Sequence, residues 1–153
     1  MMTKIKISIA SDHGGYPLKK DLLKIIKDEG YNVIDKGAYN YDPEADYPDF
    51  AKLVAESVQS GETNKGIILC GSGVGAAITA SKFKGIRASV CHDTYSSSQG
   101  VEHDDMNVLC LGARIIGISL AEKIVKEFLN SSFIKEERFE RRLNKVLKIE
   151  SDN

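Results

Sequence analysis

Five short apolar runs, each followed by a longer amphipathic segment, are the strongest constraint on how this chain can fold. The runs fall at 4–10, 32–35, 66–69, 86–91 and 107–111, and Ile, Val, Leu and Cys dominate them. Runs of this length without polar alternation are expected of strands buried on both faces. Between them lie helical patterns at 18–26, 50–58, 74–83, 94–102 and 118–129, the first closed by Gly30. A sixth, at 134–149, is followed by no further strand. Strict alternation of this kind predicts βαβ units in a three-layer α/β/α sandwich, with a five-stranded parallel Rossmann-like sheet and an extra C-terminal helix. With 153 residues and no linker, repeat or low-complexity tract, residues 1–153 read as a single domain.

Composition excludes several function classes. A net charge of −1 offers no electrostatic footprint for nucleic acid. No apolar run approaches the ~18 residues of a membrane span. The chain opens without a signal-peptide layout. The cysteines, Cys70, Cys91 and Cys110, are odd in number and lack C-x-x-C spacing, so neither a disulfide framework nor a zinc site is expected. A reducing, cytoplasmic setting follows.

In open α/β sheets ligands bind beyond the carboxyl ends of the strands. Strand one ends in Ser11-Asp12-His13-Gly14-Gly15, strand three in Cys70-Gly71-Ser72-Gly73-Val74-Gly75, strand four in Cys91-His92-Asp93 and strand five in Gly112-Ala113-Arg114. His103-Asp104-Asp105, just before strand five, is placed with this edge. The unstructured stretch 37–48, with Pro43, Pro48 and three tyrosines, is long enough to expect a role in binding.

The segment 71–75 joins a strand to a helix, and its backbone N–H groups suit a phosphate or a developing enediolate. Cys70 immediately precedes it, where a helix N-terminus favours a thiolate that can act as base or nucleophile. A buried, inert thiol is the alternative reading. Gly71-x-Gly73-x-x-Ala76, with Asp93 downstream, also fits a dinucleotide fingerprint, but it follows the third strand instead of the first. No Gly-Lys-Ser/Thr completes a Walker loop, and Ala76 stands where a cysteine phosphatase needs arginine. Asp12, His13, His103 and Asp104 lack recognised metal-ligand spacing, so no metal is expected. In the last helix Arg138 and Arg142 stand at i,i+4 and can grip one phosphate; a solvated face with a Glu137–Arg141 pair is the alternative.

Taken together and in order, Ser-Asp-His-Gly-Gly, Asp46-Tyr47-Pro48, Cys-Gly-Ser-Gly-Val-Gly, Glu-His-Asp-Asp-Met-Asn and Leu-Gly-Ala-Arg resemble ribose-5-phosphate isomerase type B, in the sugar-phosphate isomerase family that includes galactose-6-phosphate isomerase. The similarity spans residues 4–149. It implies an aldose–ketose isomerase of the pentose phosphate pathway, interconverting D-ribose 5-phosphate and D-ribulose 5-phosphate through an enediolate without metal or cofactor. By that likeness Cys70 moves the proton between carbon 2 and carbon 1, Ser72 helps shuttle the hydroxyl proton, and the amides of Gly71, Gly73, Val74 and Gly75 hold the enediolate. His103 opens the furanose ring, with Asp104 beside it; Asp12 and Tyr47 contact the sugar. His13, Arg114, Arg138 and Arg142 bind phosphate, the last two from the partner in a homodimer or a dimer of dimers. Asp104 stands where many members carry Asn, and Phe139 where many carry His. An isomerase of a six-carbon aldose phosphate and a non-catalytic nucleotide- or sugar-phosphate-binding module are the alternatives.

Overall fold

A computed structural model describes residues 4–153. The elements follow in the order β1 (Lys6–Ser11), α1 (Tyr16–Asp28), β2 (Asn32–Asp35), α2 (Tyr47–Gln59), β3 (Lys65–Cys70), α3 (Val74–Ala80), β4 (Ala88–Val90), α4 (Thr94–Asp104), β5 (Val108–Gly112), α5 (Ile118–Asn130) and α6 (Glu137–Ser151). The five strands form one all-parallel sheet in the order β2-β1-β3-β5-β4. The α/β sandwich expected from the alternation is what the chain forms.

The central strands are apolar on both sides because both sides are covered. Ile7, Ile9, Ile67, Leu69, Leu109 and Leu111 pack with Leu22, Ile26, Ile124 and Phe128 of α1 and α5. The alternate positions, Ala10, Ile68, Cys70, Val108 and Cys110, pack with Ala51, Val54, Ala76 and Ala80 of α2 and α3. Each fully buried Leu, Ile or Phe contributes about 1.5–3 kcal/mol relative to exposure. The small residues of α3 let it lie close to the sheet, which keeps the Cys70 end of β3 covered on that side.

Three boundaries differ from expectation for local reasons. Helix α2 starts at Tyr47, because Pro48 fits a first turn that needs no N–H donor. Helix α4 runs to Asp104 and is ended by Asp105 in the left-handed region, φ 53°. Helix α6 begins only at Glu137, because Ile134 donates its N–H to the Glu102 carbonyl at 2.9 Å and pins the preceding segment to the last turn of α4.

Strand order fixes where ligand can sit. The chain steps from β1 to β2 on one side, then places β3 on the other side of β1, so the loops after β1 and β3 diverge and leave a crevice. Because β5 inserts between β3 and β4, the loop after β5 borders the same crevice. The 36–46 segment flanks it and is tied down by Lys19, which is 1% exposed. Its ammonium donates to Asp35 Oδ1 at 2.8 Å and to the Ala38 carbonyl at 2.5 Å.

Candidate active site

The Cys70 thiol is buried, 4% exposed, and its sulfur accepts the Gly73 N–H at 3.1 Å. That bond exists because Gly73 adopts φ 83°, a left-handed conformation that side chains other than glycine's rarely tolerate, and so turns its N–H back toward β3. Donation to sulfur holds the Cys70 side chain in one orientation at the mouth of the loop. Helix α3 has only seven residues, so the nearby amides matter more than any long-helix dipole. Ser72 Oγ accepts the Val74 N–H at 3.2 Å, which orients the hydroxyl at the mouth of the loop.

Asp12 sits opposite. It is nearly buried, and its Oδ1 accepts the Gly15 N–H at 3.1 Å, so one carboxylate oxygen is fixed at the entry to α1. Arg114 arrives from β5 along a backbone ladder, Ala113 N–H to the Cys70 carbonyl and Arg114 N–H to the Gly71 carbonyl. A Cβ at Gly71 would lie 3.4–3.5 Å from the Arg114 side chain, so the guanidinium lies against this backbone. Gly75 serves close approach: a Cβ there would lie 2.5 Å from the Tyr47 ring. Asp12, Tyr47, Cys70, Ser72, Gly75 and Arg114 line one pocket of about 280 Å3. His13 borders this edge, with its Nδ1 3.0 Å from the Ala45 carbonyl. A carbonyl can only accept, so Nδ1 carries the hydrogen and Nε2 is left for a ligand.

His103 is not on this edge. The sequence reading grouped it with the carboxyl ends of the strands, and the structure corrects that placement. Helix α4 leaves the carboxyl end of β4 and runs back along the sheet, so its last turn reaches the amino ends. Arg87, just before β4, donates to the Asp105 carbonyl at 2.6 Å and to its carboxylate at 3.0 Å, which fixes the location. The length of β5, roughly 13 Å at ~3.3 Å per residue, separates His103 and Asp104 from the Cys70 pocket. Asp12 and His13 therefore share no cluster with His103 and Asp104 in one chain. Among the described residues, no group of three or more His, Cys, Asp or Glu side chains is placed to hold a metal ion.

Arg138 and Arg142 lie with His103, on α6. Phe139 stacks on the His103 imidazole with ring centroids 4.1 Å apart and planes 16° apart, and the Arg138 guanidinium lies 4.6 Å from the Phe139 centroid. The Glu137–Arg141 pair weighed as an alternative forms at 2.7 Å and occupies Arg141, and the Arg138 Nε–H donates to the Glu136 carboxylate at 3.2 Å.

Sequence reasoning gave His92 no role. Its Nε2 accepts the Gly112 N–H at 2.9 Å and so joins the ends of β4 and β5 beneath Arg114. Burial pushes its pKa below the ordinary value of 6.5. A group whose folded pKa is depressed stabilises fully above its unfolded pKa, and that stability falls as pH drops from about 6.5 through the lower folded value. Thermal midpoints between pH 7 and pH 5 are expected to fall less steeply in His92→Gln than in the parent. Equal slopes would remove His92 as the titrating clasp.

The model of the family described as Ribose/Galactose Isomerase matches residues 7–146. The ribose-5-phosphate isomerase B of Escherichia coli is 42% identical over 128 residues, covering 84% of this chain and 85% of that one. The D-erythrulose-4-phosphate isomerase of Pectobacterium atrosepticum is 38% identical over 132 residues, covering 84% and 85%. The solved structure of ribose-5-phosphate isomerase B from Mycoplasma genitalium with bound ribulose-5-phosphate superposes with a TM-score of 0.92 at 38% identity, covering 99% of this chain and all of that one, 100%.

Proposed function

The chain belongs to the ribose/galactose isomerase family, and from that membership we propose that it interconverts D-ribose 5-phosphate and D-ribulose 5-phosphate through an enediolate. The observation that carries this reading is the Cys70 sulfur, held by the Gly73 amide in a pocket that Arg114 and Asp12 also line. In one direction Cys70 takes the proton from carbon 2 of the open-chain aldose, and the electron pair moves into an enediolate. The amides of Gly71, Gly73, Val74 and Gly75 stabilise the oxyanion, and Ser72 passes the hydroxyl proton. Cys70 then returns its proton to carbon 1 and leaves the ketose. One positioned base and a set of preorganised donors are what abstraction next to a carbonyl requires. Asp12 and Tyr47 hold sugar hydroxyls, and His13 and Arg114 grip phosphate, whose binding energy orients carbon 2 at the sulfur.

His103, Asp104, Arg138 and Arg142 complete this chemistry only from a second copy of the chain. Their position at the far edge of the sheet supports a homodimer in which each pocket takes its ring-opening histidine and two phosphate arginines from the partner. Two further features favour such pairing: β4 is an edge strand, and α6 leaves Val146 and Ile149 more than half exposed beside it. A dimer of dimers satisfies the same requirement. The free cysteines suit a reducing cytoplasm.

The test is a panel of four-, five- and six-carbon aldose phosphates, followed by appearance of the ketose. Ribose 5-phosphate is expected to react fastest. A faster four-carbon substrate would move the chain toward the D-erythrulose-4-phosphate reading that a relative's name suggests. A six-carbon preference would point to Asp104, an acid where an amide would offer both a donor and an acceptor.

A further inference from the structure

The imidazole of His103 is held more firmly than a helix-end histidine needs to be. Phe139, 3% exposed, is the single buried residue of α6, and it stacks on the face of this ring. Gln99, one turn earlier on α4, places its side-chain amide 3.0 Å from His103 Nδ1. The stack fixes the plane of the imidazole, and the amide fixes its rotation within that plane. Among the described residues no hydrogen bond engages Nε2, so Nε2 is the nitrogen presented outward. The same Phe139 ring carries the Arg138 guanidinium at 4.6 Å, so the imidazole and a phosphate-gripping arginine are braced on one aromatic spacer.

We propose that Phe139 and Gln99 are positioning residues for ring opening, holding His103 at a set distance from Arg138 so that a sugar gripped by its phosphate meets Nε2 at its ring oxygen. This rests on the reading of His103 as the ring-opening group. In the step, Nε2 gives its proton to the ring oxygen O4 as the C1–O4 bond breaks, the O1–H electron pair becomes the C1=O1 bond, and the O1 proton passes to Nε2, which restores the neutral imidazole. Throughout, Nδ1 accepts from the Gln99 side-chain N–H at 3.0 Å, so the hydrogen of the neutral imidazole belongs to Nε2, the nitrogen that faces the sugar. Phe139 thereby serves the histidine, through its stack on the imidazole.

The ketose 5-phosphate has no free hydroxyl that can close a five-membered ring, so it bypasses this step. The experiment compares two rates in Phe139→Leu and Gln99→Met: conversion of ribose 5-phosphate, and exchange of the carbon 1 proton of ribulose 5-phosphate in D2O followed by NMR. Conversion of the aldose is expected to slow about 10- to 100-fold, the scale of a misplacement near 1 Å, while exchange stays within about twofold. Phe139→Tyr, which keeps the ring, is expected to retain both rates. A proportionate loss of both rates, or no loss of either, overturns the positioning role. His103→Ala separates the two layers. If it slows exchange as much as conversion, the ring-opening reading itself fails. If it slows conversion selectively while Phe139→Leu and Gln99→Met do not, only the positioning proposal fails.

Discussion

Cys70→Ala is expected to lower kcat for ribose 5-phosphate by about 10^3-fold or more, toward the upper end of what one positioned base supplies. The substitution removes a single atom at a strand end that is 4% exposed, a small buried cavity that the fold should tolerate. What disappears is the proton acceptor, together with the sulfur that receives the Gly73 N–H. The phosphate contacts are untouched, so KM should change little, and the loss should appear in carbon-bound proton exchange as strongly as in net turnover. Cys70→Ser should fail almost as badly: it restores the hydrogen bond but puts an alcohol, a far weaker acid than a thiol, in the place of the base. Retention of more than about a tenth of parent activity in Cys70→Ala would remove the cysteine as the base.

The second large effect is on stability. Gly15→Ala is expected to cost about 3 kcal/mol or more and to lower the thermal midpoint by about 10 °C. Gly15 has φ −97°, so backbone conformation is not the obstacle. Space is the obstacle: a Cβ there would lie 2.5 Å from the carbonyl carbon and oxygen of Leu69 and 2.7 Å from its Cβ. No rotamer relieves backbone against backbone, so α1 must lift from β3. Asp12 should be disturbed with it, since its carboxylate accepts the Gly15 N–H. Gly117→Ala is the control, because φ is −92° and nothing lies within 4 Å of the added methyl. A midpoint within about 2 °C of the parent for Gly15→Ala would contradict the packing described.

Much of the architecture was legible because buried parallel strands must be apolar on both faces. Strand β2 falls at 32–35 as the run predicts, β3 extends its run by one residue at each end, and β5 is shifted one residue onward. The edge strand β4 was overestimated because apolar Ile86 and Cys91 are buried as turn and loop residues, outside the ladder. At the site, the pairing of Cys70 with its glycine loop was readable because loop and nucleophile are contiguous. His103 was misplaced because proximity to β5 in sequence was taken for proximity to the ligand edge. Eleven helical residues at ~1.5 Å each carry the chain roughly 16 Å back across the sheet. Lys19 gave no signal at all: a lysine in an amphipathic helix is ordinarily solvated, and its partners Asp35 and Ala38 come from a different element. Gly75 was read as part of a ligand-cradling turn, whereas the face of Tyr47 against it is a tertiary fact that no local pattern announces.

In the proposed homodimer each pocket needs Cys70 from one copy and His103 from another. Cys70→Ala and His103→Ala chains, each nearly inactive on ribose 5-phosphate, are refolded together so that mixed dimers form. A mixed dimer then holds one pocket with both groups intact and one with neither, and half the dimers are mixed, so activity should return to about one quarter of the parent value. No recovery, with mixed dimers demonstrated by mass, would mean that both groups act within one chain and would contradict the shared site.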